Sequence, residues 1–343
     1  MSRGPEITVM VVAHNRRDFV AEALGSVVAQ DLDPDLFEVV FCTNVPRESL
    51  GSEVLRGRVA RLDLPEGSWG EWIRAALPQC HGDILCFLDD DDLFEPGKLS
   101  SVRSAFRQYP SIGYYHNRIR RFTHGSLRSD VRFGGPRPGP EGPDCGLVED
   151  RRKSRALINR LFWKAAGFNA SAIAVRRDLL ESLGSLFPQL EVGHPLALFY
   201  AGAISHRDLY FDPAALTRYR IHSTNSSVPS GSDVGREWRG ALENGGAVIR
   251  DSERIARFIA SDPRGRFSAS PVRSVGLRTQ LLRSLSRPDL SRTQLLRALG
   301  EYLSLTPENI VADQPGMLAM VALGLLSPRA PDGWLRARTN RTR

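Results

Sequence analysis

Four consecutive aspartates, Asp89 to Asp92, follow the wholly apolar run of residues 84–88. A short apolar run without alternation predicts a strand covered on both faces, as in a parallel sheet flanked by helices. Adjacent carboxylates repel one another and raise each other's pKa, so a cluster of four is costly without a cation nearby. Because ligands of open α/β sheets bind beyond the carboxyl ends of the strands, we expect a metal-assisted site at these aspartates.

Three other apolar runs precede this one in the chain. Residues 7–13 and 37–42 are almost unbroken runs rich in β-branched side chains, and residues 58–64 form a weaker run. Between the first two, apolar residues recur at helical spacing from Val20 to Val28. The alternation of strand-like and helical segments predicts βα units, and therefore a Rossmann-like, mostly parallel α/β sheet flanked by helices.

The segments after the aspartates have less regular patterns. Residues 116–137 contain six arginines without periodicity, which predicts a loop that either closes over a diphosphate or stays solvated. Residues 151–186 are predicted to be mostly helical, and residues 196–203 to form an apolar helix. Residues 208–221 are predicted to form short strands that end at His222.

Charge is distributed unevenly along the chain. Residues 1–232 contain 28 basic and 28 acidic side chains, whereas residues 233–343 contain 18 basic and 11 acidic ones and so carry the whole net charge of +7. Arginine-rich amphipathic segments separated by proline and glycine predict a separate helical region at 233–343, after a domain formed by residues 1–228. This basic region either faces an anionic partner such as a membrane surface or is simply solvated.

The cysteines and the lack of long apolar segments indicate the compartment. The four cysteines form no CxxC pair, and Cys42 and Cys86 lie in predicted buried strands. We expect free thiols in a reducing cytoplasm. No stretch reaches the ~18 to 20 apolar residues that cross a bilayer, and no signal peptide is recognisable. A cytoplasmic protein, at most peripheral at the membrane, is therefore expected.

Four segments along the chain carry a family resemblance. They are VMVVAHNRR at residues 9–17, HGDILCFLDDDDLFEPGKL at 81–99, FNASAIAVRRDLLESLG at 168–184 and LTRYRIHSTNSS at 216–227. In this order they resemble family 2 glycosyltransferases of the GT-A fold, over roughly residues 5–228. The resemblance implies a nucleotide-sugar donor bound at the carboxyl ends of the strands.

The resemblance also implies a metal site at the aspartates, which match the family's DXD motif. Asp91 is the expected ligand of a divalent ion, with Asp89 and Asp90 toward the nucleotide, Asp89 as a further ligand, and His222 completing the shell. Hard Mn²⁺ or Mg²⁺ suits oxygen ligands and stabilises the charge on a departing diphosphate. An EF-hand does not fit, because Phe94 occupies the place of its required glycine. A solvated acidic turn is the alternative.

The nucleoside is expected at the first turn. The resemblance places Ala13, His14, Asn15 and Arg16 around it. Asn44, after the second predicted strand, stands where the family often has an aspartate that reads the base. An asparagine accepts a hydrogen bond without a charge, so the identity of the base stays open.

The catalytic base is not identified by its pattern. Inverting members of the family usually supply an acidic pair just before a helix like the one predicted at 196–203. Here residues 190–196 read LEVGHPL and contain no acidic pair. Either His194, whose imidazole has an unperturbed pKa of ~6.5, or Glu191 is expected to deprotonate the acceptor.

Together these features predict a metal-dependent, inverting glycosyltransferase. It would transfer a sugar to a hydroxyl or amine of a saccharide, lipid-linked or small-molecule acceptor, and no nucleic-acid partner is expected. One alternative is nucleotidyl transfer, which usually needs a glycine-rich phosphate loop that residues 14–17 lack. The other is a non-catalytic module that kept the fold and lost the base.

Overall fold

The computed structural model describes residues 4–46, 59–123, 145–222, 243–262, 267–284 and 291–305. The chain divides into two compact units, residues 1–223 and 224–343. The first contains an α/β sheet, and the regular structure described in the second is helical.

The strands described in the first unit form a nine-stranded sheet. They are β1 (Ile7–Ala13), β2 (Phe37–Thr43), β3 (Val59–Asp63), β4 (Ile84–Asp89), β5 (Leu93–Phe94), β6 (Ile112–Thr123), β7 (Gly146–Val148), β8 (Ile173–Arg176) and β9 (Asp208–Ile221). The helices of this unit are α1 (Val20–Val28), α2 (Trp69–Ala76), α3 (Lys98–Gln108), α4 (Arg155–Trp163), α5 (Arg177–Ser182) and α6 (His194–Ile204).

The sheet has a parallel half and a mixed half that meet at β4. Strands β3, β2, β1 and β4 lie side by side and run parallel. Strand β8 then pairs antiparallel with both β4 and β6, and β9 runs parallel to β6. Strands β5 and β7 pair antiparallel with β9. The register aligns Ala13 with Thr43, and Val12 with Asp89, so β1, β2 and β4 end at one edge.

Apolar packing on both faces explains why the predicted strands form. Every residue of β1 is buried, as expected for a central strand between helical layers. Leu24 and Val27 of α1 and Leu99 and Val102 of α3 belong to the same core cluster as β1, β2 and β4. This burial fixes the edge at which the strands end.

A lysine lies inside this unit with no exposed surface. Lys98, at the start of α3, donates from Nζ to Asn117 Oδ1, to the Ser171 carbonyl at 2.8 Å and to Thr217 Oγ1 at 3.2 Å. Its Nζ also lies 4.7 Å from the centre of the Phe94 ring. Burial lowers the pKa of Lys98 to about 7. The lysine ties α3 to β6, β9 and the turn before β8.

Four of the described strands, β5 to β8, were not predicted from the sequence. Strand β6 includes residues 116–123 of the segment predicted to be a loop, because this stretch pairs with β8 and along its length with β9. Strand β8 lies within residues 151–186, predicted to be mostly helical, and is too short to show a period. Residues 208–221 form one long strand rather than several. Residues 124–137 of the predicted loop lie outside the described residues.

The cysteines agree with their prediction. None of the four forms a disulfide, and Cys42 and Cys86 are buried in β2 and β4. Burial raises the pKa of each of these two thiols to about 12, so neither is a reactive thiolate at neutral pH.

The second unit contains three described helices: α7 (Gly245–Ala260), α8 (Ser270–Ser284) and α9 (Arg292–Leu305). Buried apolar residues on each helix supply its packing face, including Ile255 on α7, Val272 on α8 and Leu295 on α9. Across the described parts of the chain, no helix combines the length and apolar character needed to span a bilayer.

Candidate active site

The aspartate run leaves the sheet at the end of β4. Asp89 is the last residue of β4, and the next residue stays close to β1 because the Asp90 N–H donates to the Val12 carbonyl at 3.1 Å. The Asp92 N–H donates back to the Asp89 carbonyl at 3.2 Å. This turn follows the carboxyl ends of β1 and β4 and contains all four aspartates.

Arg16, in the turn after β1, pairs with two of these carboxylates. Its Nε donates to Asp90 Oδ2 at 3.1 Å, and its Nη2 also donates to Asp90 Oδ1. The same Nη2 donates to Asp91 Oδ2 at 2.7 Å. Both aspartates are buried, so these charge-assisted hydrogen bonds lie largely out of solvent and hold Arg16 at the site.

His222, directly after β9, reaches the same place from the other half of the sheet. Its Nε2 lies 2.9 Å from Asp91 Oδ2 and 3.2 Å from Arg16 Nη1. The His222 ring also packs against Phe19, with the ring centres 5.2 Å apart. Residues separated by more than 200 positions in the chain thus meet around one carboxylate oxygen.

The aspartates differ in how readily they carry charge. Burial, followed by repulsion from the neighbouring carboxylates, raises the pKa of Asp89 to about 7. Burial likewise raises the pKa of Asp90 to about 6, against the opposing pull of Arg16. Burial acts on Asp91 too, but its hydrogen bond with His222 and the charge of Arg16 outweigh it and hold the pKa of Asp91 below the usual value. Asp91 is therefore held as an anion, the form that binds a cation.

Asp92 points away from this cluster and is held inside the protein. Its Oδ2 accepts from Asn169 Nδ2 and its Oδ1 from the Arg220 N–H, each at 3.0 Å. Burial and repulsion from the neighbouring carboxylates raise the pKa of Asp92 well above its usual value. Asp92 thus joins the turn to β9 and to the segment before β8.

Arg220 bonds to the aspartate turn through its side chain. This residue was not predicted from the sequence. Its Nε donates to the Asp91 carbonyl at 2.8 Å, and its Nη2 donates to Glu22 Oε2 at 2.9 Å. The guanidinium lies over the rings of Phe19 and Phe122, 4.3 and 4.5 Å from their centres. The RYRIH segment was noted for its histidine, and nothing local distinguishes this arginine from its neighbours.

A second polar cluster lies at the ends of β1 and β2. Asn15 adopts a φ of 56°, a left-handed conformation that asparagine tolerates, and its N–H donates to Asn44 Oδ1 at 2.9 Å. Asn44 Nδ2 donates to Asn15 Oδ1 at 2.6 Å and to Glu66 Oε1 at 3.1 Å. His14 Nε2 lies 3.1 Å from Glu66 Oε2. Glu66 was not predicted, because it lies in a polar turn without a pattern.

Asp89 connects this edge of the sheet to α2 and α6. Trp69, the first residue of α2, donates from Nε1 to Asp89 Oδ1 at 3.1 Å. The Trp69 ring centre lies 4.9 Å from that of His194 and 5.8 Å from that of Phe187. One aromatic ring therefore separates the predicted base His194 from the carboxylate of Asp89.

The two candidate bases have different surroundings. His194 is only 3% exposed, and a Cβ added at Gly70 would lie 2.8 Å from its Nε2, so this nitrogen faces the backbone of α2. Its ring also packs on Phe187, with the centres 5.3 Å apart. Glu191 is exposed in the segment before α6. The geometry of the described residues does not bring an acidic pair to this position.

The donor set at Asp91 and His222 fits a hard divalent ion. Among the described residues, no three His, Cys, Asp or Glu side chains are grouped to hold a metal by themselves. Mg²⁺, however, is usually bound by one or two carboxylates together with water and substrate phosphates, and imidazole is a further acceptable ligand of Mn²⁺. The positively charged guanidinium of Arg16 contacts both Asp91 Oδ2 and His222 Nε2.

Comparison with known proteins identifies the family. Residues 8–184, just over half of the chain, match the family described as "Glycosyl transferase family 2". The chain belongs to glycosyl transferase family 2. Within this family the aspartate turn after β4 and the polar turn after β1 are two of the segments on which the resemblance was based. No curated protein matches the chain.

Solved structures agree with the fold of this family. Residues 1–349 of S. aureus TarS match with a TM-score of 0.57 and 16% identity, covering 95% of this chain and 88% of that one. The same segment has been solved in complex with UDP-GlcNAc, with the same values. The mannosyltransferase PcManGT from Pyrobaculum calidifontis, in complex with GDP-Man and Mn²⁺, matches with a TM-score of 0.50 and 16% identity, covering 97% and 84%. The predicted GT-A fold is confirmed.

Proposed function

We propose that the chain is a metal-dependent, inverting glycosyltransferase with a nucleotide-sugar donor. The observation that carries the proposal is the meeting of Asp91, His222 and Arg16 at the carboxyl ends of the strands. In an α/β sheet this edge is where ligands bind. Two structures similar in fold hold UDP-GlcNAc and GDP-Man, which supports a donor of this class.

In this proposal Asp91 and His222 hold Mn²⁺ or Mg²⁺, with Asp89 as a further ligand. A bound divalent ion would supply positive charge to the departing diphosphate. The anionic state of Asp91 supports its role, because a carboxylate must be deprotonated to ligate. Asp90 would face the nucleotide and keep Arg16 beside it through their paired hydrogen bonds.

The nucleoside would lie on the second polar cluster, at the ends of β1 and β2. Ala13 ends β1, and the exposed side chains of His14 and Asn15 follow it. Asn44 holds the backbone of Asn15 in its left-handed conformation. These groups offer both donors and acceptors toward solvent, as recognition of a base and a ribose requires.

On the acceptor side, a base would remove a proton from the attacking hydroxyl or amine. That atom would form a bond to the sugar carbon while the bond to the diphosphate breaks on the opposite face, which inverts the configuration. His194 or Glu191 would take the proton. The position of His194, one ring away from Asp89, supports His194, and the exposure of Glu191 supports Glu191. The acceptor would be a saccharide, a lipid-linked group or a small molecule.

A non-catalytic nucleotide-sugar-binding module is the second candidate. The burial of His194 and the lack of an acidic pair before α6 favour it, since an enzyme of this class needs an accessible base. A module of this kind would keep the donor site and lose turnover.

Melting temperatures with nucleotides separate these candidates. UDP, GDP, dTDP and CDP are each added to the full chain with and without Mn²⁺, because ligands that bind the folded state raise its melting temperature. We expect one nucleotide to require Mn²⁺ for its shift, and the shift to vanish in Asp91→Ala. Release of the nucleotide from its sugar donor, over a panel of acceptors, indicates the enzyme. Binding without release supports the module, and no binding at all contradicts both.

We further propose that the basic region at 233–343 makes peripheral contact with anionic membranes. Its excess of basic side chains supports this partner. Cosedimentation of the full chain with vesicles containing 30% phosphatidylserine is expected to fall as the salt concentration rises. The attraction is electrostatic, and in 0.1 M salt dissolved ions screen it beyond ~10 Å. Equal binding to neutral vesicles would contradict it.

A further inference from the structure

The chain supplies its own cation at the atoms assigned to the metal. Arg16 Nη2 donates to Asp91 Oδ2 at 2.7 Å, while Arg16 Nη1 lies 3.2 Å from His222 Nε2. His222 Nε2 donates to the same oxygen of Asp91, at 2.9 Å, because a carboxylate only accepts. Asp91 Oδ2 is therefore the acceptor atom that Arg16 already occupies.

We propose that Arg16 and a divalent ion are alternative cations for the same acceptor atom, Asp91 Oδ2. This inference rests on the metal site of the proposed function. An ion bound to this atom would lie beside the Arg16 guanidinium, and like charges repel strongly in a partly buried site. Entry of the ion therefore requires Arg16 to release Asp91 and to withdraw from His222.

Arg16 does not have to leave the site when it releases Asp91. Its other edge, Nε and Nη2, remains paired with the two oxygens of Asp90. This pairing would keep the guanidinium close by and leave Nη1 available to an anionic group of an incoming ligand. Asp90, a buried carboxylate, thus has a defined role as the tether of Arg16.

Two consequences follow for binding. Mn²⁺ alone binds the wild-type chain weakly, because it must first displace Arg16. Mn²⁺ and a nucleoside diphosphate bind cooperatively, because the ion frees a guanidinium that the diphosphate then occupies, and such coupling is reciprocal.

The test measures Mn²⁺ binding without nucleotide, from the electron paramagnetic resonance signal of free Mn²⁺ added to the full chain. We expect Arg16→Gln to bind Mn²⁺ at least tenfold more tightly than the wild type. Arg16→Lys keeps the charge, but its single ammonium group cannot contact Asp90, Asp91 and His222 together. The Mn²⁺ affinity of this variant should therefore lie between those of the wild type and Arg16→Gln. Arg17→Gln removes the same charge from the exposed neighbouring residue and should stay within twofold of the wild type.

Each result bears on a different claim. Wild-type binding that is lost in Asp91→Asn but not tightened in Arg16→Gln overturns the competition and leaves the metal site standing. Equal tightening in Arg17→Gln also overturns it, since the effect would then be one of net charge. Failure of every variant to bind millimolar Mn²⁺ overturns both the competition and the metal site. Circular dichroism of each variant verifies that it is folded.

Discussion

The proposed donor side of the sheet edge, around Arg16 and Asp91, and the proposed acceptor side, around His194, are built in different ways. At the donor side, Arg16 bonds to Asp91, and Asn44 bonds to Asn15, across strand ends. At the acceptor side, His194 is enclosed by the rings of Trp69 and Phe187. Polar groups tied into a network have few alternative positions, whereas a histidine within an aromatic pocket depends on packing. The donor chemistry can therefore be derived from the chain more directly than the acceptor chemistry.

The largest expected effect on this contrast comes from replacing the catalytic base. We expect His194→Gln to lower the rate of sugar transfer by about 10²- to 10⁴-fold, the usual contribution of a general base. Nucleotide binding should not change, because His194 lies apart from the second polar cluster. The measurement is kcat together with a nucleotide melting shift.

Glu191→Gln is the matched comparison, since it changes an exposed residue of the same segment. A greater loss in Glu191→Gln than in His194→Gln would transfer the role to Glu191. Equal and negligible losses in both would place the base elsewhere on the acceptor side.

The donor side is tested by removal of its anionic carboxylate. Asp91→Ala should lower the rate of sugar transfer by about 10²- to 10³-fold, as loss of one electrostatic group at a developing charge commonly does. The Mn²⁺-dependent part of the nucleotide melting shift should vanish with it. Asp18→Ala, at an exposed position in the same unit, serves as the control. Retained Mn²⁺ dependence in Asp91→Ala would remove Asp91 from the site.

The packing of the acceptor side is tested at Gly70. A Cβ here would overlap the Phe187 carbonyl oxygen and lie 2.8 Å from His194 Nε2. We therefore expect Gly70→Ala to lower the free energy of unfolding by about 2 kcal/mol, as overpacking does. Gly25→Ala, in α1, meets no atom within 4 Å and should stabilise the protein slightly. Urea unfolding measures both, and similar values for the two would mean that the pocket is not tightly packed.

The amide pair of the donor side is tested by a charge exchange. Asn44→Asp would put a second carboxylate about where Asn44 Nδ2 now lies 3.1 Å from Glu66 Oε1, and the two would repel. We expect about tenfold weaker nucleotide binding, measured by calorimetry, on the scale of about 1.4 kcal/mol per factor of ten. Asn44→Asp with Glu66→Gln should recover most of the loss. No recovery in the double variant would mean that Glu66 does not act through Asn44.

The last prediction concerns the pH dependence of stability. Asp89 has a pKa raised to about 7, so below that pH the folded metal-free protein holds a proton that the unfolded chain releases near pH ~4. The stabilisation is fully present below the unfolded value and is lost as the pH rises through about 7. Between pH 5 and 8 the ionisation of Asp89 should lower the free energy of unfolding by about 1–2 kcal/mol. This value allows for solvent screening at the half-buried carboxylate.

Asp89→Asn removes that proton equilibrium. Urea unfolding in EDTA should show a smaller decline between pH 5 and 8 in Asp89→Asn than in the wild type. Asp83→Asn, at an exposed position beside the same strand, should decline as the wild type does. An unchanged decline in Asp89→Asn would show that the carboxylate does not titrate in this range.

The fold was predictable where burial imposes a local pattern. Strands β1, β2 and β4 are apolar runs covered on both faces, so their sequences identify them. Strand β6 escaped because Arg118, Arg120 and Arg121 interrupt its apolar residues, and its stability comes from pairing with β9, more than 90 positions away. Pairing with a strand so far along the chain leaves no periodic pattern in the local sequence.

The site followed the same division. The aspartate run and His222, which the structure brings together, were proposed as site residues because they stand at strand ends within segments that resemble a known family. Arg220 and Asn169 were not, because what makes them important is contact with Asp92, and a contact between distant residues leaves no local signal. The role of Arg16 in gripping Asp91 and His222 also emerged only from the coordinates.

Strand β9 lies beyond the last residue matched to the family, since the match ends at residue 184 and the strand spans Asp208–Ile221. It nevertheless pairs with three other strands and leads directly to His222. A fragment trimmed to the matched residues would expose the bonding edge of β6 to other chains and invite self-association. The limits of detectable ancestry and the limits of an autonomous folding unit are therefore different boundaries in this protein.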